Sequence, residues 1–154
     1  MLEVFKKRHA VRSFQKRAIT FETLSEILEA INSAPSAGGL KARETHVITD
    51  RETKQKLAHA AFDQEFVAQA PVVLVFWAIP SVSAAKYGAR GRDLFCIQDA
   101  TIAASFAWLQ AVASGLGGCW VGAFDERAVK EIFRDEVASD RRPIALFPMG
   151  YAAE

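Results

Sequence analysis

Between Glu3 and Glu22 the chain carries no acid, while Lys6, Lys7, Arg8, Arg12, Lys16 and Arg17 make that stretch strongly basic. A run of this kind is either a solvated face or a seat for an anion, and charge alone does not separate the two. Other residue types that do chemistry are sparse. His9, His46 and His59 show neither H-x-x-x-H nor H-E-x-x-H spacing, so no metal site is expected. Cys96 and Cys119 are the only cysteines and form no C-x-x-C pair, which argues against a zinc ribbon or a disulfide scaffold and suits a reducing cytoplasm. Gly115 and Gly117 fail as a dinucleotide fingerprint, because Trp120 stands where the third glycine belongs and the turn runs from helix to strand. Phosphate-loop and nucleophile-elbow motifs are absent as well.

The elements that must position such residues follow from pattern and punctuation. With 154 residues, 51% hydrophobic and 24% charged, the chain has the size and balance of one globular domain, expected over 1–154. A net charge of +1 gives no global field for nucleic acid, and the basic stretch has no aromatic platform or helix-turn-helix beside it. The N-terminus lacks an apolar signal region, so export is not expected. Residues 100–124 carry no charge, but Gly115, Gly117 and Gly118 would break a helix before it crossed a bilayer. A buried helix is therefore expected there, and no membrane association.

Helices are predicted from Leu2 to about Arg8, from Phe21 to Ala34 with Thr20 as N-cap and Pro35 as stop, from Asp50 to Ala60, and through Phe66–Ala70. Two more are predicted over Asp93–Ser114, apolar nearly all round, and over Asp125–Phe133. Strands are predicted at Thr45–Thr49, Val72–Ala78, Cys119–Val121 and Ile144–Met149, with the unbroken apolar run 72–78 at the sheet centre, covered on both faces. Pro35–Leu40 and Pro80–Arg92 read as loops, the second of a length that carries function. The class is α+β, with a mixed central sheet flanked by helices. The long apolar helix needs more cover than one chain of this size supplies, which points to a partner subunit.

Four segments together resemble the FMN-dependent nitroreductase family over nearly the whole chain. Arg8-His9-Ala10-Val11-Arg12-Ser13-Phe14 is similar to the family's R-x-[SA]-x-[RK]-x-F signature, whose two guanidiniums, four residues apart, could converge on one phosphate through bidentate contacts. Pro35, Ser36, Ala37, Gly38 and Gly39 resemble a loop that in relatives reaches the partner's flavin, and small residues there let backbone approach a flat ring. Gln64 occupies the segment where an amide meets the flavin pyrimidine edge, with a donor and an acceptor to offer. Without the other segments it reads as an exposed helix-start residue. The most specific match is Gly115 to Glu126, in which Trp120, Val121, Gly122 and Ala123 would flank the flavin, backbone N–H groups facing its N5 side. Asp99, in a further matching segment, reads as a cap or helix-stabilising charge.

The resemblance implies a homodimeric, cytoplasmic oxidoreductase of nitroreductase-like fold. FMN carries its chemistry, NADH or NADPH reduces the enzyme, and a flat electron acceptor such as a nitroaromatic or quinone reoxidises it in ping-pong fashion, with no catalytic side chain and no metal. The rival reading is a non-catalytic dimeric flavoprotein or interaction module on the same scaffold. Two departures motivate that rival: Gly39 replaces the Asn of many relatives, and the basic tail that most carry beyond the Gly-Tyr near position 150 has no counterpart. Weaker FMN retention and a looser embrace between subunits are expected from its loss.

Overall fold

A computed structural model describes residues 1–153, which leaves Glu154, the last residue of the expected domain, outside the described residues. Helices α1 (Glu3–Lys7) and α2 (Phe21–Ser33) open the chain, and Thr20 caps α2 by accepting from Thr23 N. A 3-10 turn, Ala37–Gly39, interrupts the first expected loop. Strand β1 (Arg43–Ile48) leads into α3 (Arg51–Ala60), capped by the Asp50 carboxylate, then α4 (Phe66–Gln69) and β2 (Val72–Ala78). After α5 (Pro80–Arg90) come a wide π-turn, Gly91–Phe95, and the long α6 (Cys96–Ala113). The chain closes with β3 (Gly117–Gly118), α7 (Glu126–Ile132) and β4 (Arg142–Gly150).

The strands lie in the order β1-β2-β4-β3 and pair antiparallel throughout; a parallel contribution comes from a single bridge between Ala10 and Gly118. The α+β class holds, while the four-stranded sheet is antiparallel rather than mixed, the parallel bridge reaching Ala10 outside its strands. Strand β2 is interior and fully buried, as its unbroken apolar run requires. Its alternate residues feed two cores: Val73, Val75 and Trp77 pack with Leu57, Val67, Val129 and Phe133, while Val72, Leu74 and Phe76 pack with Ile27, Ile31, Ala103, Ala107 and Phe147. The sheet is thus clothed on one face by α3, α4 and α7 and on the other by α2 and α6.

Two expectations are corrected. The segment 80–92 is a helix, not a loop: Pro80 starts it, the Ala- and Lys-containing run sustains it, and Gly88 at φ 57° breaks it. The short strand near Trp120 sits two residues earlier, at Gly117–Gly118, with Val121 returning to pair with Leu146. At the end of α6, Gly115 takes φ 79°, and Leu116 N and Gly115 N bond back to Ala111 O and Val112 O, a C-terminal lock that stops the helix well before position 124. Among the described residues no helix is long and apolar enough to cross a membrane.

Candidate functional site

The N-terminal basic segment is held as an added strand. Ala10 bridges Gly118, Val11 N donates to Gly118 O at 3.0 Å, and Gln15 N donates to Tyr151 O at 2.9 Å. The close approach explains two glycines of the family-like run. A Cβ on Gly117 would lie 2.5 Å from Val11 Cγ2, and one on Gly118 would run into the Phe147 ring. Gly122 differs: a Cβ there would meet only the Trp120 indole edge, at 3.0 and 3.7 Å, and both Gly122 and Ala123 are exposed. That stretch of backbone is open to a flat ligand.

The two arginines rest on different aromatic rings. The Arg8 guanidinium sits over Trp108 of α6, 4.6 Å from the ring centroid. The Arg12 guanidinium lies 5.9 Å from the Phe66 ring centroid, and its charge acts on the Cys119 thiol, which itself donates to Trp120 O at 3.5 Å. In this arrangement the guanidiniums stand at separate stations, Arg8 against α6 and Arg12 against the first residue of α4. Burial pushes the Cys119 thiol up, against the pull of Arg12, so it stays protonated and is no nucleophile. His9 is exposed, and its Nδ1 meets only the neighbouring Lys7 O, at 2.8 Å.

Gln64 lies two residues before Phe66, the ring that Arg12 faces. Its Nε2 donates to Ala61 O at 2.9 Å and Ala123 O at 3.2 Å. Two carbonyl oxygens around one end of the amide put its NH₂ there, so the carboxamide oxygen is the end left for a ligand. The expected donor-and-acceptor pair narrows to an acceptor. Gln64 and the Trp120–Ala123 backbone therefore form one group, which Arg12 adjoins through Phe66 and Cys119.

Pro35–Gly39 does not join that group. Asp99, buried near the start of α6, accepts from Ala37 N at 2.9 Å and Ala42 N at 3.3 Å. Arg43 holds the other side by donating to Ile31 O and Ala34 O at 2.9 and 2.8 Å. Burial lowers its guanidinium from the ordinary arginine value, and the Asp99 charge opposes the shift. The loop borders a cavity of about 510 Å³ with Phe95, Gln98 and Ile102 in its wall. Asp99 is thus a loop anchor rather than a helix cap, and the sequence held a signal for it: it is the only charged residue between Asp93 and Asp125. Arg43 had no such signal, since its acceptors are backbone carbonyls.

Tested against FMN, the group implied by the family resemblance, these residues fit. An open backbone edge could meet a ring plane, an amide oxygen is left free beside it, and two arginines offer cations for a phosphate. The model of the nitroreductase family matches residues 5–65 and 59–151. An FMN-dependent nitroreductase from Clostridium difficile R20291 superposes with a TM-score of 0.85 at 28% identity, over 100% of this chain and 88% of that one. A nitroreductase family protein from Clostridium novyi NT gives 0.87 at 27% identity, covering 99% and 84%. The FMN reductase [NAD(P)H] of Bacillus subtilis is 37% identical over 83 residues, 51% of this chain and 32% of the relative. With the family pattern running from the first helix through β4, this chain belongs to the nitroreductase family.

Proposed function

We propose that the protein is an FMN-dependent oxidoreductase, reduced by NADH or NADPH and reoxidised by a flat electron acceptor such as a nitroaromatic or quinone. The observation that carries this reading is the open Gly122–Ala123 edge with Gln64 and Arg12 beside it. When bound, FMN supplies two-electron transfer between a nicotinamide and the acceptor. The chain's task is then to hold, orient and shield. Arg8 would take the phosphate as a charge-assisted donor, Arg12 and the Gln64 oxygen would meet the pyrimidine edge, and the Trp120–Ala123 backbone would lie along the ring. No side chain moves a proton in this scheme.

The same reading makes the protein a cytoplasmic homodimer. Phe21 is 80% exposed and Phe5 48%, and Phe106 of α6 is 37% exposed, an apolar surface that a second copy would cover. The Pro35–Gly39 loop would reach the partner's flavin, which accounts for its distance from the Arg12 group. Purified protein should bind one FMN per chain and show the absorbance bands of oxidised flavin. NADH or NADPH should bleach them, and a quinone should restore them. A stable monomer holding stoichiometric FMN would sink the shared site, and a colourless protein that ignores added FMN would sink the reading itself.

A further inference from the structure

We infer that Lys86 and Arg90 form an anion-selecting rim beside the Pro35–Gly39 loop, suited to an acidic substituent on a flat substrate; the inference rests on the flavin reading above. The helix that sequence reasoning missed creates this rim. Gly88, at φ 57° and ψ −140°, reverses the chain after Tyr87, and Gly91 then packs so closely on Ser83 that a Cβ would strike its carbonyl. The fold-back sets Tyr87 and Phe95 edge to face, with centroids 5.1 Å apart. Lys86 Nζ lies 5.4 Å from the Tyr87 ring centroid and the Arg90 guanidinium 5.4 Å from that of Phe95.

This cluster adjoins the loop directly. A Cβ built on Gly38 would come within 2.5 Å of Tyr87 Oη and 2.9 Å of Lys86 Nζ. Phe95, the ring that Arg90 faces, also walls the cavity that Pro35, Ser36 and Ala37 border, and Lys86 reaches the same loop at Gly38. Their charge is uncompensated. Asp93 is paired with Arg92 at 2.7 Å, and Asp99 is committed to two backbone N–H groups. Among the described residues neither Lys86 nor Arg90 forms an ion pair, whereas Arg92, Arg134, Arg141 and Arg142 all do.

A cation held over an aromatic face beside an apolar wall favours a ligand that joins a flat body to an ionised group. Two sources carry that chemistry: the 2′-phosphate of NADPH, and a sulfonate or carboxylate on the acceptor. The test uses FMN-loaded wild type and the Lys86→Gln/Arg90→Gln double variant. One arm compares kcat/KM for 4-nitrobenzenesulfonate with that for neutral 4-nitrobenzyl alcohol, and the other compares NADPH with NADH. One of the two ratios should fall about tenfold in the variant, and the arm in which it falls identifies the source. Binding of unreactive benzenesulfonate, followed by tryptophan fluorescence, supplies a readout without turnover. It should weaken in the variant and with added salt if the acceptor is the source, and be indifferent if NADPH is. Flavin present with both ratios unchanged overturns the rim alone. Failure to bind flavin overturns the functional reading and the rim with it.

Discussion

The two halves of the candidate site are built in opposite ways. The Arg12 half is sheet-like: the N-terminal segment is stitched to Gly118 and Tyr151 by backbone bonds, and glycine at 117 leaves room for Val11. The loop half hangs on two side chains, the Asp99 carboxylate and the Arg43 guanidinium, with a 3-10 turn between them. Redundant backbone bonding makes the first half insensitive to any one polar side chain and intolerant of added volume. The second half has the reverse sensitivities.

The largest expected effect breaks the stiff half. Gly118→Val puts methyl groups into the Phe147 ring, so stability should fall by about 3 kcal/mol, seen as a lower melting temperature and poor soluble yield. Asp99→Ala attacks the other half. It leaves Ala37 N and Ala42 N without their acceptor and should cost about 2 kcal/mol, whereas Asp99→Asn, which keeps one acceptor oxygen, should lose less. Dimer dissociation in sedimentation should rise with Asp99→Ala more than with Gly118→Val at equal folded fraction, if the loop is the part that meets the partner.

Within the stiff half, the arginines sharpen the comparison. Arg8→Ala should weaken FMN by about 1.5–3 kcal/mol and leave riboflavin affinity nearly unchanged, the signature of a phosphate contact. Arg12→Ala should weaken FMN and riboflavin alike, since its station is with Phe66, Cys119 and Gln64. Equal loss of FMN selectivity in both variants would restore the shared phosphate grip. Gly122→Val should leave stability within about 0.5 kcal/mol of wild type, because a Cβ there meets only an indole edge, yet lower flavin content. The smallest effect belongs to Asp125→Asn. Asp125 caps α7 through Arg127 N and Ala128 N, and asparagine caps nearly as well, so a few tenths of a kcal/mol is expected by calorimetry.

Local physics was legible in the residues themselves. Thr20, Asp50 and Asp125 act as caps, Pro35 follows the end of α2, and the unbroken run Val72–Ala78 lies at the interior of the sheet. The run from Gly115 to Glu126 pointed to the family because its glycines, cap and indole occur together at set intervals. What sequence could not decide depends on long-range placement. Where Arg8 and Arg12 rest is decided by the Trp108 and Phe66 rings, on helices far along the chain. Helix 80–90 hid behind its polar composition and Gly88, since the side chains that stabilise it are packed against a turn that follows it. Asp99 carries no mark of the loop it holds, because its partners are backbone N–H groups, identical in every residue type but proline, and only the tertiary structure says which of them a buried carboxylate meets.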